Sequence, residues 1–245
     1  MPIDGTAAVG TAGWNIPGIT AEQFPSDGSG LARYSAILRV VEINSSFYRP
    51  HRISTWDRWK VATPPEFRFS VKVPKIITHQ HKLIDCETAL DDFLVQAHTL
   101  GEKLAILLVQ LPPSLMFDAK VAAAFFSAVA AKTPASVVCE PRHISWFSDT
   151  ADNLLSDHKV SRVAADPALC DAASRPGGSL ALTYWRLHGS PARYRSSYAD
   201  RLLTYADLIR RSAAHSDAWC IFDNTASSAA MQDALALQRM LMAPA

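Results

Sequence analysis

Apolar, β-rich runs recur along the chain with stretches of helical spacing between most of them. Strands are expected over 7–14, 38–48, 67–73, 104–112, 136–142, 162–167, 180–189 and 218–225. Helical spacing predicts helices over 87–100, 119–132 behind an Asp118 cap, 149–158, 199–213 and 226–241, and shorter ones near 29–37 and 54–62. Eight strands alternating with helices within 245 residues predict one α/β domain over 1–245, a single (β/α)8 TIM-type barrel. The sixth unit is the weakest: between 168 and 179 the residues allow a short helix at most, so one degenerate crossover is expected there.

In such a barrel the loops after the strands converge on one mouth, so polar residues at strand ends become site candidates. These are Glu42 and Asn44, Lys72, Gln110, Glu140 with Arg142 and His143, Asp166, Arg186 with His188, and Asp223 with Asn224. Alternate strand residues point inward. Val41 and Ile43 suit the helix layer, which sends Glu42 and Asn44 inside; Phe67, Phe69, Val71 and Val73 do the same for Arg68, Ser70 and Lys72. Tyr184, Arg186 and His188 share one parity. Burying an unpaired charge costs several kcal/mol, so these ends must be either ion-paired plugs or a working site. As plugs, Glu42 would pair with Lys72, and Arg186 with Glu140 or another acid.

Composition narrows the function classes. With 24 basic against 23 acidic residues, the net charge of +1 supplies no global field for nucleic acid or an anionic membrane, so a nucleic-acid partner is not expected. No run approaches the roughly 20 apolar residues of a membrane span, and "MPIDGTAAVGTAGW" lacks a basic start and an apolar core, which predicts a cytoplasmic protein. The scattered Cys86, Cys139, Cys170 and Cys220 form no Cys-x-x-Cys pair and read as buried free thiols. No G-x-G-x-x-G or P-loop pattern is present, so no nucleotide cofactor is expected.

Ordered motifs carry a resemblance. "GTAGW" (10–14), "VEINSSFYR" (41–49), "PPEFRFSVKVPKIITH" (64–79), "LLVQLPPS" (107–114), "EPRHISW" (140–146), "ADP" (165–167), "RLHG" (186–189) and "FDNTA" (222–226) resemble the YecE-like family, also called domain of unknown function 72. The resemblance spans essentially the whole chain and implies a TIM-barrel fold and an enzyme of unassigned reaction. "NIPGIT" after Trp14 departs from that family's aromatic character, and Asp223 stands where the family pattern takes Asn as readily as Asp.

The strand-end groups suit several chemistries. In metal-free acid/base catalysis on a small anionic or sugar-like metabolite, Glu140, Asp166 and His188 or His143 move protons while Lys72, Arg142 and Arg186 hold a phosphate or carboxylate. Glu42, Asn44, Gln110, Asn224, Trp14 and Tyr48 complete the binding surface, and Arg193 and Arg195 follow the seventh strand, where barrels often keep a phosphate site. In the alternative, Glu140, Asp166, His188 and Asp223 hold a divalent metal for hydrolysis or isomerisation. A glycosidase would draw its carboxylate pair from Glu42, Glu140 and Asp166. "THQH" (78–81) reads as ordinary surface. Outside enzymes, a binding module for a nucleotide, RNA or protein would use the same basic mouth.

Overall fold

The computed structural model describes residues 7–243. Residues 1–6, part of the stretch read above for a targeting signal, lie outside the described residues. The strands are β1 (Ala7–Thr11), β2 (Val40–Ile43), β3 (Arg68–Lys72), β4 (Leu104–Gln110), β5 (Ser136–Glu140), β6 (Val160–Arg162), β7 (Ala164–Asp166), β8 (Gly177–Gly178), β9 (Leu182–Leu187) and β10 (Asp217–Phe222). The helices are α1 (Gly30–Ser35), α2 (Ile53–Val61), α3 (Glu87–Ala97), α4 (Ala119–Lys132), α5 (Asp149–Asp157), α6 (Leu202–Ala213) and α7 (Ala229–Met242). The Asp118 carboxylate does cap α4, accepting from the Lys120 and Val121 amides at 2.9 and 3.0 Å.

The fold is α/β, but its ladders do not form one clean, closed eight-stranded barrel. They divide into a sheet of order β1-β10-β9-β7 and one of order β2-β3-β4-β5-β6-β8, parallel throughout except for β6 with β8. The sixth expected strand causes one division. It breaks at Val163, so that β6 pairs with β5 and β7 with β9. Arg162, buried beside the break, donates to the Asp152 carboxylate and the Ala172 carbonyl, both at 2.7 Å. Its guanidinium pins the crossover, whose regular structure is the 3-10 turn Asp171–Ser174 and the two-residue β8.

The other division lies between β1 and β2, which share only the isolated Ala12–Glu42 bridge. A Cβ on Gly10 would stand 2.3 Å from the Val40 carbonyl oxygen, so these backbones approach too closely for a side chain. Gly10→Ala is expected to lower stability by about 1 to 3 kcal/mol, as overpacking does. An unchanged denaturant midpoint would contradict this close approach.

Two cores give the sheets their sidedness. The larger packs the outward residues of the strands, such as Val41, Phe69, Leu107 and Cys139, against the helices. The smaller gathers inward residues of both sheets, among them Val40, Ile106, Val138, Val163, Tyr184 and Trp219. Among the described residues, no helix is long and apolar enough to cross a membrane.

Candidate functional site

Strand alternation delivers the charges. Inward parity on β2, β4, β5 and β9 ends in Glu42, Gln110, Glu140 and Arg186, and continues to His188 and Asp223 just past β9 and β10. Arg186 is fully buried and forks onto Glu42, with Nε to Oε2 at 2.9 Å and Nη2 to Oε1 at 2.6 Å. It also reaches Glu140 Oε2 at 2.5 Å and Asp223 Oδ2 at 3.1 Å. The two nitrogens of His188 face Glu140 Oε1 at 3.1 Å and Asp223 Oδ2 at 2.9 Å. Glu140 further accepts from Gln110 Nε2, at 3.1 Å to each oxygen, and from Arg142 Nε at 3.0 Å. The Tyr184 hydroxyl donates to Glu42 at 3.0 Å and accepts from the Ser70 hydroxyl at 2.9 Å.

Burial alone would push the Glu140 carboxyl up, but the charges of Arg186, His188 and Arg142 outweigh it and hold Glu140 well below the usual carboxylate range. Burial and the Arg186 and His188 contacts oppose each other in the same way at Asp223, with a lowered result. These acids are therefore ionised, paired anions at neutral pH.

Lys72 is different. It is 5% exposed, and among the described residues none accepts a hydrogen bond or forms an ion pair with its amine. Glu42 pairs with Arg186, not with Lys72. Lys72 Nζ instead lies 4.1 Å from the centroid of the Phe47 ring. Burial first, and the neighbouring Arg186 charge second, push this amine down to about 8, against the opposing pull of Glu42, Glu140 and Asp223.

The same Phe47 ring meets His79 edge-on at 5.0 Å. His79 sits in a π-helical turn, Ile76–Gln80, that begins four residues after Lys72; such turns recur at functional sites. The Thr78 hydroxyl engages His79 Nδ1 at 2.8 Å. Burial, then the charges of Lys72 and Arg142, push the imidazole down. Tyr194 closes the other side, its ring 5.8 Å from that of His188, held in a left-handed backbone conformation (φ 66°) by a bond from its amide to the His188 carbonyl. Within "THQH", read above as plain surface, His79 is half-buried against Phe47.

Other candidates sit apart from this cluster. Asp166 carries outward parity, because Val163 faces the inner core and Ala164 the outer one. Its carboxylate accepts from Arg201 Nη1 at 2.9 Å and from the Tyr205 hydroxyl, beside a cavity of about 270 Å³ bounded by Trp185 and Ser190. His143 caps the turn Ile144–Phe147, bonding Ser145 through Nδ1. Asn224 ties the Ser196 carbonyl to Asp233. Trp14 packs on Trp59 and, with Asn44 and Ser45, lines a separate cleft of about 630 Å³. Tyr48, 67% exposed, contacts Phe47, while Arg193 and Arg195 are exposed.

The alternative metal set does not converge. Asp166 is on the wrong face, both His188 nitrogens are committed to carboxylates, and among the described residues no cluster of three His, Cys, Asp or Glu has metal-holding geometry. The proposed carboxylate pair for glycoside cleavage is likewise altered, since Glu42 and Glu140 share Arg186 and Asp166 is elsewhere.

The UPF0759 protein YecE of Escherichia coli K12 is 30% identical over 84 residues, which cover 34% of this chain and 31% of YecE. YunF of Bacillus subtilis strain 168 is 31% identical over 153 residues, 57% of this chain and 52% of YunF. The matched segments therefore span about a third to a half of these relatives. A solved DUF72 family structure from Thermotoga maritima superposes with a TM-score of 0.81 at 23% identity, covering 97% of this chain and all of that one. Another, from Enterococcus faecalis V583, gives 0.80 at 18% identity, covering 98% and 97%. These two establish likeness of fold. The family described as "Protein of unknown function DUF72" matches residues 8–245. Because that match runs from the second residue of β1 through every strand that supplies the buried cluster, the chain belongs to the DUF72 family.

Proposed function

We propose that the two sheets act together as a distorted (β/α)8-type barrel, and that its C-terminal mouth is an enzyme active site for a small anionic or sugar-like metabolite. The inner core drawn from both sheets and the chain's passage through Val163 from one to the other support the barrel reading. The observation that carries the site is Lys72, a nearly buried amine that has no counter-ion among the described residues, beside three carboxylates that are all engaged elsewhere. A structural plug would have been neutralised; this one is left available.

The roles divide by exposure. Arg186, Glu42, Glu140, His188 and Asp223 form a rigid charged base whose donors and acceptors serve one another. Lys72, Arg142 and His79 meet the ligand: the Arg142 side chain retains 22% exposure while bonded to Glu140, so it can add an anion without leaving its partner. Lys72 and His79, both pushed toward their neutral forms, carry protons near neutral pH.

Thermal-shift and calorimetric titration with inorganic phosphate, a hexose phosphate and a dicarboxylate test this reading. At least one is expected to bind, and Arg142→Ala to weaken it about tenfold or more, about 1.4 kcal/mol, with the far-ultraviolet spectrum unchanged. Equal affinity for wild type and Arg142→Ala would remove the anion site from this mouth.

A further inference from the structure

We infer that Lys72 is a covalent nucleophile, and that the substrate of this mouth carries an aldehyde or ketone which condenses with its amine to an iminium. The inference rests on the active-site reading above and supplies its substrate class.

Two uses of a lysine at this position make opposite demands. An amine kept only to attract an anion gains from being charged, and a nearby carboxylate or open water would serve that end. An amine that attacks carbon must be neutral, with its lone pair free. The fold provides the second environment. Both Glu42 oxygens are taken by the Arg186 fork, one of them also by Tyr184; Glu140 is taken by Arg186, Arg142, Gln110 and His188; Asp223 by Arg186 and His188. Three acids crowd the site and none reaches Lys72. The group against the amine is the Phe47 ring, which offers no proton acceptor of comparable strength. Lowering the amine from 10.5 to about 8 makes the free base about 300-fold more abundant at neutral pH than for an ordinary lysine.

The proton traffic also has a place. His79 lies against the same Phe47 ring, with Nδ1 engaged by Thr78. The Lys72 lone pair forms the C–N bond as the carbonyl π pair moves to oxygen. One proton passes from nitrogen to that oxygen, with His79 or a water as carrier. A second proton, taken up from solvent water through the same carrier, lets the hydroxyl depart as water and leaves the C=N⁺ iminium, so the condensation consumes one proton overall. Addition of water reverses each step, so no oxidant or reductant is required. Arg142 supplies a charge for an anionic group on the same substrate.

Reductive trapping of the wild-type protein tests this. Glyoxylate, an anionic aldehyde, is added with cyanoborohydride at about pH 7, and modified lysines are located by peptide mass mapping over time. Lys72 is expected to be carboxymethylated at least tenfold faster than exposed lysines such as Lys82 and Lys120. Modification of Lys72 no faster than of these would overturn the covalent role. If Arg142→Ala still weakened anion binding in that event, the active-site reading would stand and only the iminium would fall; loss of both results would remove both.

Discussion

Arg186→Met is expected to destabilise the protein by about 3 to 5 kcal/mol at pH 7, the range found when one partner of a buried ion pair is removed. Methionine fills the apolar stem of the arginine but supplies no donor. Glu42, Glu140 and Asp223 would be left close together with the fork that joins them gone. The pH dependence identifies the cause. In the native protein the lowered Glu140 and Asp223 carboxyls contribute stability above their ordinary values of 4.5 and 3.8, and lose it as pH falls through their folded values. Without Arg186, burial pushes them upward instead, so the folded variant binds protons that its unfolded chain has released. Its deficit is therefore expected to narrow between about pH 7 and pH 5 in denaturant titrations. A deficit below about 1 kcal/mol, or one equal at both pH values, would mean that the carboxylates do not depend on this guanidinium.

Lys72→Met has the opposite sign. Depressing the amine from 10.5 to about 8 corresponds to roughly 3 to 4 kcal/mol by which the folded state disfavours the charged form. Methionine places a similar, uncharged chain over Phe47 and removes that penalty. The variant is expected to be more stable than wild type by about that amount below pH 8, while losing every reaction that needs the amine. The sign follows from linkage: between about 8 and 10.5 the unfolded lysine holds a proton that the folded one has lost, so wild-type stability rises with pH and the advantage of Lys72→Met fades across that window. A variant less stable than wild type at pH 7 would show that Lys72 supports the fold.

Much of this arrangement was legible in strand parity. Alternation along "VVEIN" and "FRFSVK" separates Glu42, Ser70 and Lys72 from the residues that pack beneath the helices, and the inner and outer cores follow that division. Partner choice was legible only in part: the expected pairing of Arg186 with Glu140 is present, whereas Glu42 pairs with Arg186 and not with Lys72. Arg186 and Glu42 are 144 positions apart, and which carboxylates one guanidinium joins depends on the relative heights of strands in both sheets. Asp166 escaped for a related reason. The chain breaks at Val163 to pass between sheets, and a side chain four positions past Arg162, the end of β6, cannot be assigned a face until that break is placed. The packing of His79 on Phe47 was not legible because a loop histidine gives no periodic signal; its position depends on the π-helical turn after β3.

The most direct measurement is titration of Lys72 itself, by NMR of protein carrying labelled lysine, with Lys72→Met assigning the resonance. Lys72 is expected to titrate with a midpoint near 8. A midpoint at or above the ordinary value of 10.5 would contradict this, because the amine would then be an ordinary ammonium and no nucleophile or proton carrier at neutral pH.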